Sequence, residues 1–402
     1  MDFNFGFYKD SVKFNVPDAS IEAVLEPNKV NVDLTGADEV KRAMDNPIGS
    51  NKLKDIVKKG EKVAIITSDI TRPMPSRIVL PVVVSELNSA GIQDSDITVV
   101  FAIGIHRSHT DEERKYLAGD EIYNRIKCID SNSVGYTCIG KTKNGTPLDI
   151  CNAVVEADRV ICMGNIEFHY FAGYSGGAKA IMPGVSTREA IRANHCNMVY
   201  DEAKAGNLDT NPVRIDMEEA GKRVGIDFIV NVVLDANKNI IKAVAGDYIK
   251  AHREGCRFLD KLYKIEIPEK ADIVITTPGG FPKDLNLYQA QKSLDNAKHA
   301  VTDGGIIILV ASCKEGFGEK TFEKWMLGFE KPEDMVIELK KNFVLGGHKA
   351  AAIAKVLQKC SVYLISDIDP DTVEKMFMKP YKDVQDAVDD ALNIKGRDAK
   401  II

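Results

Sequence analysis

The stretch "RVICMGNIEFHYFAGYSGGAK", residues 159–179, opens with six residues that read as a buried strand. Its apolar residues run on without alternating, the pattern of a strand covered on both faces of a parallel sheet. The fifteen residues that follow carry one histidine, three glycines, four aromatics and one lysine, Lys179. In open α/β sheets ligands bind beyond the carboxyl ends of strands, where this loop falls. It is not a nucleoside triphosphate loop. That motif needs glycine before the lysine and Ser or Thr after it, whereas Ala178 and Ala180 flank Lys179. Backbone N–H groups at a helix start could still hold a phosphate, and an exposed structural lysine is the plain alternative.

The same grammar recurs along the chain. "KVAIIT" (62–67) runs into "SDITRPMPS", placing Asp69, Thr71 and Arg72 after a strand. "ITVVFAIG" (97–104) runs into "IHRSHT", placing His106 and His109. "ADIVITTPGG" (271–280) runs into "FPKDLNLYQAQK", placing Lys283, Gln289 and Lys292. "RIKCID", "GGIIILVAS" and "SVYLISD" read as further strands, and "FIVNVVLD" with "IIKAVAG" as a hairpin. "FNFGFY", "VKFNVP" and "KVNVDL" read as short strands near the start. Strands alternating with helical runs predict an α/β fold. The charge-rich stretch "YKIEIPEKAD" (263–272) precedes a fresh β-α series. The expectation is two α/β domains with parallel-rich sheets, 1–262 and 263–402, with the active site in the cleft between them.

Composition narrows the class. The 402 residues are 44% hydrophobic and 28% charged, with a net charge of −6. No long basic tract points to nucleic acid. No apolar run is long enough to span a membrane, and the N-terminus lacks a signal-peptide pattern. A cytoplasmic protein is expected. Eight cysteines include no C-x-x-C pair, which argues for reduced thiols, mostly buried, and against structural zinc.

Four of the seven histidines, 106, 109, 169 and 195, lie within 90 residues. His106 and His169 follow strand ends, where functional side chains concentrate. His109 reads as a capping or surface residue, and His252 and His299 as surface residues of polar helices. His195 lies in "STREAIRANHCNM", a helix that Ser186 and Glu189 would open as a capping box. Its neighbours one turn away are Ile191 and Met198, so by itself it reads as a packed core histidine. Arg72, stiffened by Pro73 and Pro75, suits bidentate recognition of a carboxylate or phosphate. Gln289 and Lys292 share a helix face.

Together these segments resemble the nickel-dependent lactate racemases and related 2-hydroxyacid racemases and epimerases. The resemblance rests on "DITRP" (69–73), "GIH" (104–106), "FHYFAGYSGGAKAIMPG" (168–184), "NH" (194–195) and "YQAQK" (288–292), in that order. It implies a nickel pincer nucleotide, pyridinium-3-thioamide-5-thiocarboxylic acid mononucleotide, joined to Lys179 through a thioamide. It also implies His195 as nickel ligand, and His106 and His169 as the acid–base pair. Arg72, Tyr288, Gln289 and Lys292 then bind the substrate. Asp69 and Thr71 orient the nucleotide or Arg72, while Ser175, Gly176 and Gly177 border the cofactor and keep side chains clear of it. The implied reaction inverts C2 of a 2-hydroxy acid by reversible hydride transfer. The implied partners are that acid and the enzymes that assemble the cofactor. A pyridoxal-phosphate enzyme using Lys179, or a non-catalytic nucleotide-binding module, is the alternative.

Overall fold

Val63–Ser68 runs through the middle of a six-stranded sheet and is buried at all but its last residue. The computed structural model describes residues 1–402 and divides into two units, Pro27–Lys264 and Met1–Glu26 with Ile265–Ile402. In the first, the spatial strand order is Ile240–Gly246, Phe228–Leu234, Arg159–Asn165, Val63–Ser68, Ile97–Ala102, Lys127–Asp130. All neighbours are parallel except the expected hairpin of Phe228–Leu234 with Ile240–Gly246.

This order fixes where a ligand can sit. The chain enters the sheet at Val63–Ser68 and steps outward through two strands. It then returns to the other side of Val63–Ser68 with Arg159–Asn165. Loops leaving these two strands diverge, which opens a crevice at the switch point. The helix Ser76–Ser89 begins after Pro75 and buries Val79, Leu80, Val83, Val84 and Leu87. These side chains join Ile65, Val99, Phe101 and Phe228 in one core.

The second unit carries four parallel strands in the order Ala271–Thr276, Val301–Val310, Ser361–Ile365, Lys379–Tyr381. The two units bear out the expected α/β class with parallel-rich sheets. No helix is long and apolar enough to cross a membrane.

Two expectations are corrected. Residues 1–26 belong with the C-terminal unit, not with an N-terminal domain 1–262. Their strands Asp2–Phe7 and Asp10–Asn15 pair antiparallel, and a lone hairpin cannot bury its apolar face. It does so by placing Phe14 and Val16 among Ile273, Ile306, Ile308 and Val388. Phe3 stacks on Phe14 with ring centroids 5.4 Å apart. The stretch "KVNVDL" forms no strand. It finds no pairing partner, and Val32 and Leu34 stay exposed.

Phe14→Ala should therefore destabilise the C-terminal unit, although the site-bearing loops lie in the other. The expected loss is about 3 kcal/mol, read as a lowered urea midpoint. An unchanged midpoint would place the hairpin outside that core.

Candidate functional site

Asp69 leaves the end of Val63–Ser68 buried, and its two oxygens are divided between two tasks. Oδ1 accepts the Thr71 N–H at 2.7 Å. Oδ2 lies 3.2 Å from Nδ1 of His106, which follows the neighbouring strand Ile97–Ala102. Thr71 Oγ1 is 3.3 Å from the same nitrogen. Burial opposes ionisation of Asp69, but the His106 hydrogen bond and charge, with Arg72 and Thr71, hold its carboxyl down to about 2. An ionised Asp69 accepts a proton-bearing Nδ1, which leaves His106 Nε2 as the exchangeable nitrogen. Asp69 and Thr71 share the His106 imidazole, and the Asp69 carbonyl also accepts the Arg72 N–H at 3.1 Å.

Arg72 is exposed and forms no ion pair or hydrogen bond with its side chain. Its guanidinium is available to a ligand carboxylate. The loop is braced from behind by His109. That ring is buried, lies 2.6 Å from Asp130 Oδ1 through Nδ1, and accepts the Ile70 N–H through Nε2 at 3.0 Å. It is neither cap nor surface. Thr110 caps the following helix in a capping box with Glu113.

The second group follows Arg159–Asn165. His169 pairs with Gly173 in a two-residue antiparallel ladder, and its Nδ1 accepts the Ala172 N–H at 3.3 Å. Its Nε2 is 3.5 Å from Lys179 Nζ. Burial first, then the nearby Arg72 and Arg214 guanidiniums, lowers the Lys179 pKa well below that of an ordinary lysine. Burial, Lys179, Arg72, His195 and Arg214, in that order, lower the His169 pKa well below that of an ordinary histidine. The lowered pKa keeps the His169 ring neutral near pH 7 and enlarges the neutral fraction of the Lys179 amine, the form whose lone pair can meet the ring Nε2. A neutral amine is also the nucleophilic form of lysine.

The glycine loop is shaped by its protein neighbours. A Cβ on Gly176 (φ 76°) would lie 2.8 Å from Asn231 Oδ1, the atom that accepts the Gly177 N–H at 2.7 Å. A Cβ on Gly177 (φ 59°) would lie 3.0 Å from the His252 ring. Close approach to Asn231 and His252, with the positive φ of each, requires glycine at both positions. The Ser175 hydroxyl ties the loop to itself. It donates to Asn165 O at 2.7 Å and accepts the Glu167 N–H at 2.8 Å.

Two residues that sequence reading missed hold this loop. Arg214 is fully buried and donates to Ala172 O at 3.2 Å, to Gly176 O at 3.3 Å and to Tyr174 O. His252, expected on the surface, is buried and lies 2.8 Å from Ser175 O through Nε2. It shares the inward stripe Ala251, Gly255, Cys256, Leu259 and Leu262, a helical period partly hidden by its charged neighbours.

His195 closes the cluster. Its helix, Arg188–His195, is capped by Thr187, whose side chain accepts the Ala190 N–H. Ser186 is not the cap, because its hydroxyl donates to Ile181 O at 2.8 Å. The His195 ring packs edge-on against Phe171 at 4.9 Å, and Phe171 in turn meets His169 at 4.6 Å. Lys179, His169 and His195 are therefore neighbours.

In the other unit, Tyr288, Gln289 and Lys292 lie in the first two turns of Leu287–Ala297, whose N-cap Asn286 accepts the Gln289 N–H at 3.1 Å. Lys292 Nζ donates to Gln289 Oε1 at 3.1 Å, and both side chains are exposed. Lys349, which sequence reading passed over, donates to Tyr288 O and sits 4.0 Å over its ring. His348, beside it in sequence, is buried. Burial and then Lys349 push its pKa down to about 3.

No three His, Cys, Asp or Glu side chains are grouped to hold a metal ion by themselves. A metal beside His195 would need donors from a bound group. The site suits such a group: a lysine amine whose lowered pKa favours its acylation stands near an imidazole. Beside the loop, the amide donors Asn165 Nδ2 and Asn231 Nδ2 are buried without partners.

Comparison with known proteins gives a concordant result. Residues 7–206 match the lactate racemase N-terminal domain, and residues 267–402 match the lactate racemase C-terminal domain. The lactate racemase of Thermoanaerobacterium thermosaccharolyticum is 36% identical over 405 residues, covering 98% of this chain and 95% of that protein. The lactate racemase of Lactiplantibacillus plantarum is 35% identical over 378 residues, covering 92% and 89%. The solved structure of the T. thermosaccharolyticum lactate racemase apoprotein matches with a TM-score of 0.90 at 35% identity, covering 100% of this chain and 97% of that one. A Thermotoga maritima protein shares the fold alone, at a TM-score of 0.67 and 18% identity over 91% of this chain and 96% of that one. With both halves of the chain matched and its relatives covered almost end to end, this protein belongs to the lactate racemase family.

Proposed function

We propose that this chain interconverts the enantiomers of a 2-hydroxy acid, lactate being the first candidate, using a nickel pincer nucleotide on Lys179. The observation that carries this reading is the contact of Lys179 with His169, set across the switch point from a second histidine anchored by an ionised Asp69. A carbon beside a carboxylate is a very weak acid, so simple proton removal from C2 is slow. When bound, the nucleotide supplies a reversible two-electron acceptor for the α-hydride. The protein's task is then to move the hydroxyl proton, hold the carboxylate and keep the planar 2-keto acid in place until either face is reduced.

His106 suits the proton transfer because Asp69 fixes its Nδ1 and leaves Nε2 exposed to a substrate hydroxyl. His169 takes the same role from the other side. Acylation of Lys179 removes the amine lone pair that His169 Nε2 meets, and to take the hydroxyl proton at Nε2 the ring must move its own hydrogen to Nδ1 and give up the 3.3 Å Ala172 N–H contact. Arg72 takes the carboxylate, and Tyr288, Gln289 and Lys292 are assigned to substrate binding. Asp69 and Thr71 orient His106. Ser175, Gly176 and Gly177 give the loop the shape that presents Lys179. His195 ligates the metal. Such an enzyme depends on partners that build its nucleotide, and a cytoplasmic location is consistent with that chemistry.

Lys179 chemistry is the first test. In the unloaded chain at pH 7, a limiting amount of an acetyl ester should modify Lys179 ahead of exposed lysines, because its lowered pKa leaves a larger fraction of the amine unprotonated. Peptide mapping after digestion reads the site, and uniform labelling would count against a neutral amine. Coexpressed with the cofactor-assembling enzymes, the wild-type chain should carry the nucleotide's mass and nickel, and Lys179→Ala should carry neither. The mass also separates this reading from pyridoxal phosphate.

Polarimetry on the loaded enzyme gives the second. His106→Ala and His169→Ala should each slow racemisation on the order of 10² or more, while keeping the adduct. Each should still oxidise one enantiomer of the substrate in a single turnover, with opposite preference. If either variant oxidises both enantiomers equally, one base suffices and the two-histidine scheme is wrong.

A further inference from the structure

His195 is joined to a buried hydrogen-bond chain that the reaction scheme above leaves unused. Its Nδ1 is 3.1 Å from Oδ1 of the preceding residue, Asn194. Asn194 is 0% exposed, and its amide has only one orientation that its other partners accept. The Nδ2 hydrogens go to Asp216 Oδ2 at 2.8 Å and to Val213 O at 3.2 Å. Both are pure acceptors, so the amide nitrogen must face them and the amide oxygen must face the imidazole. Asp216, 1% exposed, is itself held by Thr146 Oγ1 at 2.6 Å and by the Thr142 hydroxyl. The Thr146 N–H donates to Thr142 Oγ1 at 3.2 Å, which turns the Thr142 hydrogen toward the carboxylate.

An amide oxygen can only accept. Facing Asn194 Oδ1, the His195 Nδ1 must carry the hydrogen, and a neutral ring then has its lone pair on Nε2. Metal-ligating histidines are commonly fixed in this way through their other nitrogen. We propose that Asp216 and Asn194 are positioning residues that lock His195 in its Nδ1–H tautomer and so direct Nε2 to the metal. This rests on His195 being the metal ligand. The helix involved, Pro212–Val224, carries Asp216 two residues after Arg214, the clamp of the glycine loop. A single helix thus sets both the lysine anchor and the histidine ligand.

The tautomer is measurable without cofactor or turnover. In the unloaded full-length chain, ¹⁵N-labelled at histidine, two-bond ¹H–¹⁵N spectra at pH 8 report which ring nitrogen holds the hydrogen. His195→Gln identifies the resonance. A single Nδ1–H form is expected in wild type, and an Nε2–H form, a mixture or an imidazolium overturns the proposal. Asp216→Asn keeps the volume but offers Asn194 an amide hydrogen, which permits the Asn194 side chain to flip. His195 should then populate the Nε2–H form. In loaded protein, nickel affinity should fall about 10–100-fold, with the mass on Lys179 unchanged. Wild-type tautomer and nickel-to-adduct ratio in Asp216→Asn also overturn it. If that variant does not fold, Asn194→Ala and the wild-type spectrum carry the same decision. A wild-type chain that never acquires adduct or nickel would refute the cofactor reading instead, and the relay is then judged by the tautomer alone.

Discussion

A fully buried guanidinium without a carboxylate at bonding distance is the constraint on which this site depends. Burial pushes the Arg214 pKa down to about 10, yet the group stays cationic at pH 7. A buried charge is tolerated only where its hydrogen bonds are satisfied, and here the carbonyls of Ala172, Tyr174 and Gly176 accept them. Satisfying Arg214 bends the backbone between His169 and Lys179 around it. The glycines at 176 and 177 permit that path, and Asn231 and His252 close on them. The same charge acts through space on Lys179 and His169, disfavouring a second and third cation. One residue therefore shapes the loop and, after burial and Arg72, helps lower the pKa values of the groups it carries.

Topology supplies the rest. Because the strand order reverses beside Val63–Ser68, the loop bearing Asp69 and Arg72 and the loop bearing His169 and Lys179 leave adjacent parallel strands at the same sheet edge. His106 arrives from the strand on the opposite flank of Val63–Ser68. Three consecutive strands in space thus deliver a histidine, its carboxylate anchor and a lysine of lowered pKa to one edge. No long-range folding of loops is needed. The aromatic ring of Phe171 then spaces His169 from His195.

Much of this was legible in the chain. Apolar runs followed by polar residues located the strand ends, and the positions of Asp69, His106, His169 and Lys179 follow from them. What escaped reading was burial created by partners far apart in sequence. His252 looks like a surface residue until Ser175, 77 positions earlier, supplies its acceptor. Asp216 has no local reason to be buried, and its hydroxyl partners lie 70 and 74 positions earlier. His109 belongs to Asp130 and Ile70 rather than to the helix cap beside it. The N-terminal hairpin alternates correctly as strands, but nothing within 1–26 says which core will receive Phe14. Local pattern specifies elements, while pairing of polar groups across the fold decides which of them are structural.

The charge state of the site also has a direction in pH. The folded pKa of Lys179 lies below its ordinary value of 10.5, so between the two the unfolded chain binds more protons than the folded one. The resulting destabilisation is fully present below the folded pKa, shrinks as pH rises through the interval, and vanishes above the unfolded value. His169 contributes with the same sign over the interval below 6.5. Acylation of Lys179 abolishes its share altogether, because an acylated nitrogen takes no proton in either state. Joining a group to this amine therefore relieves a cost that the empty loop carries at neutral pH, and the desolvation that makes the lysine nucleophilic is also what favours its remaining acylated.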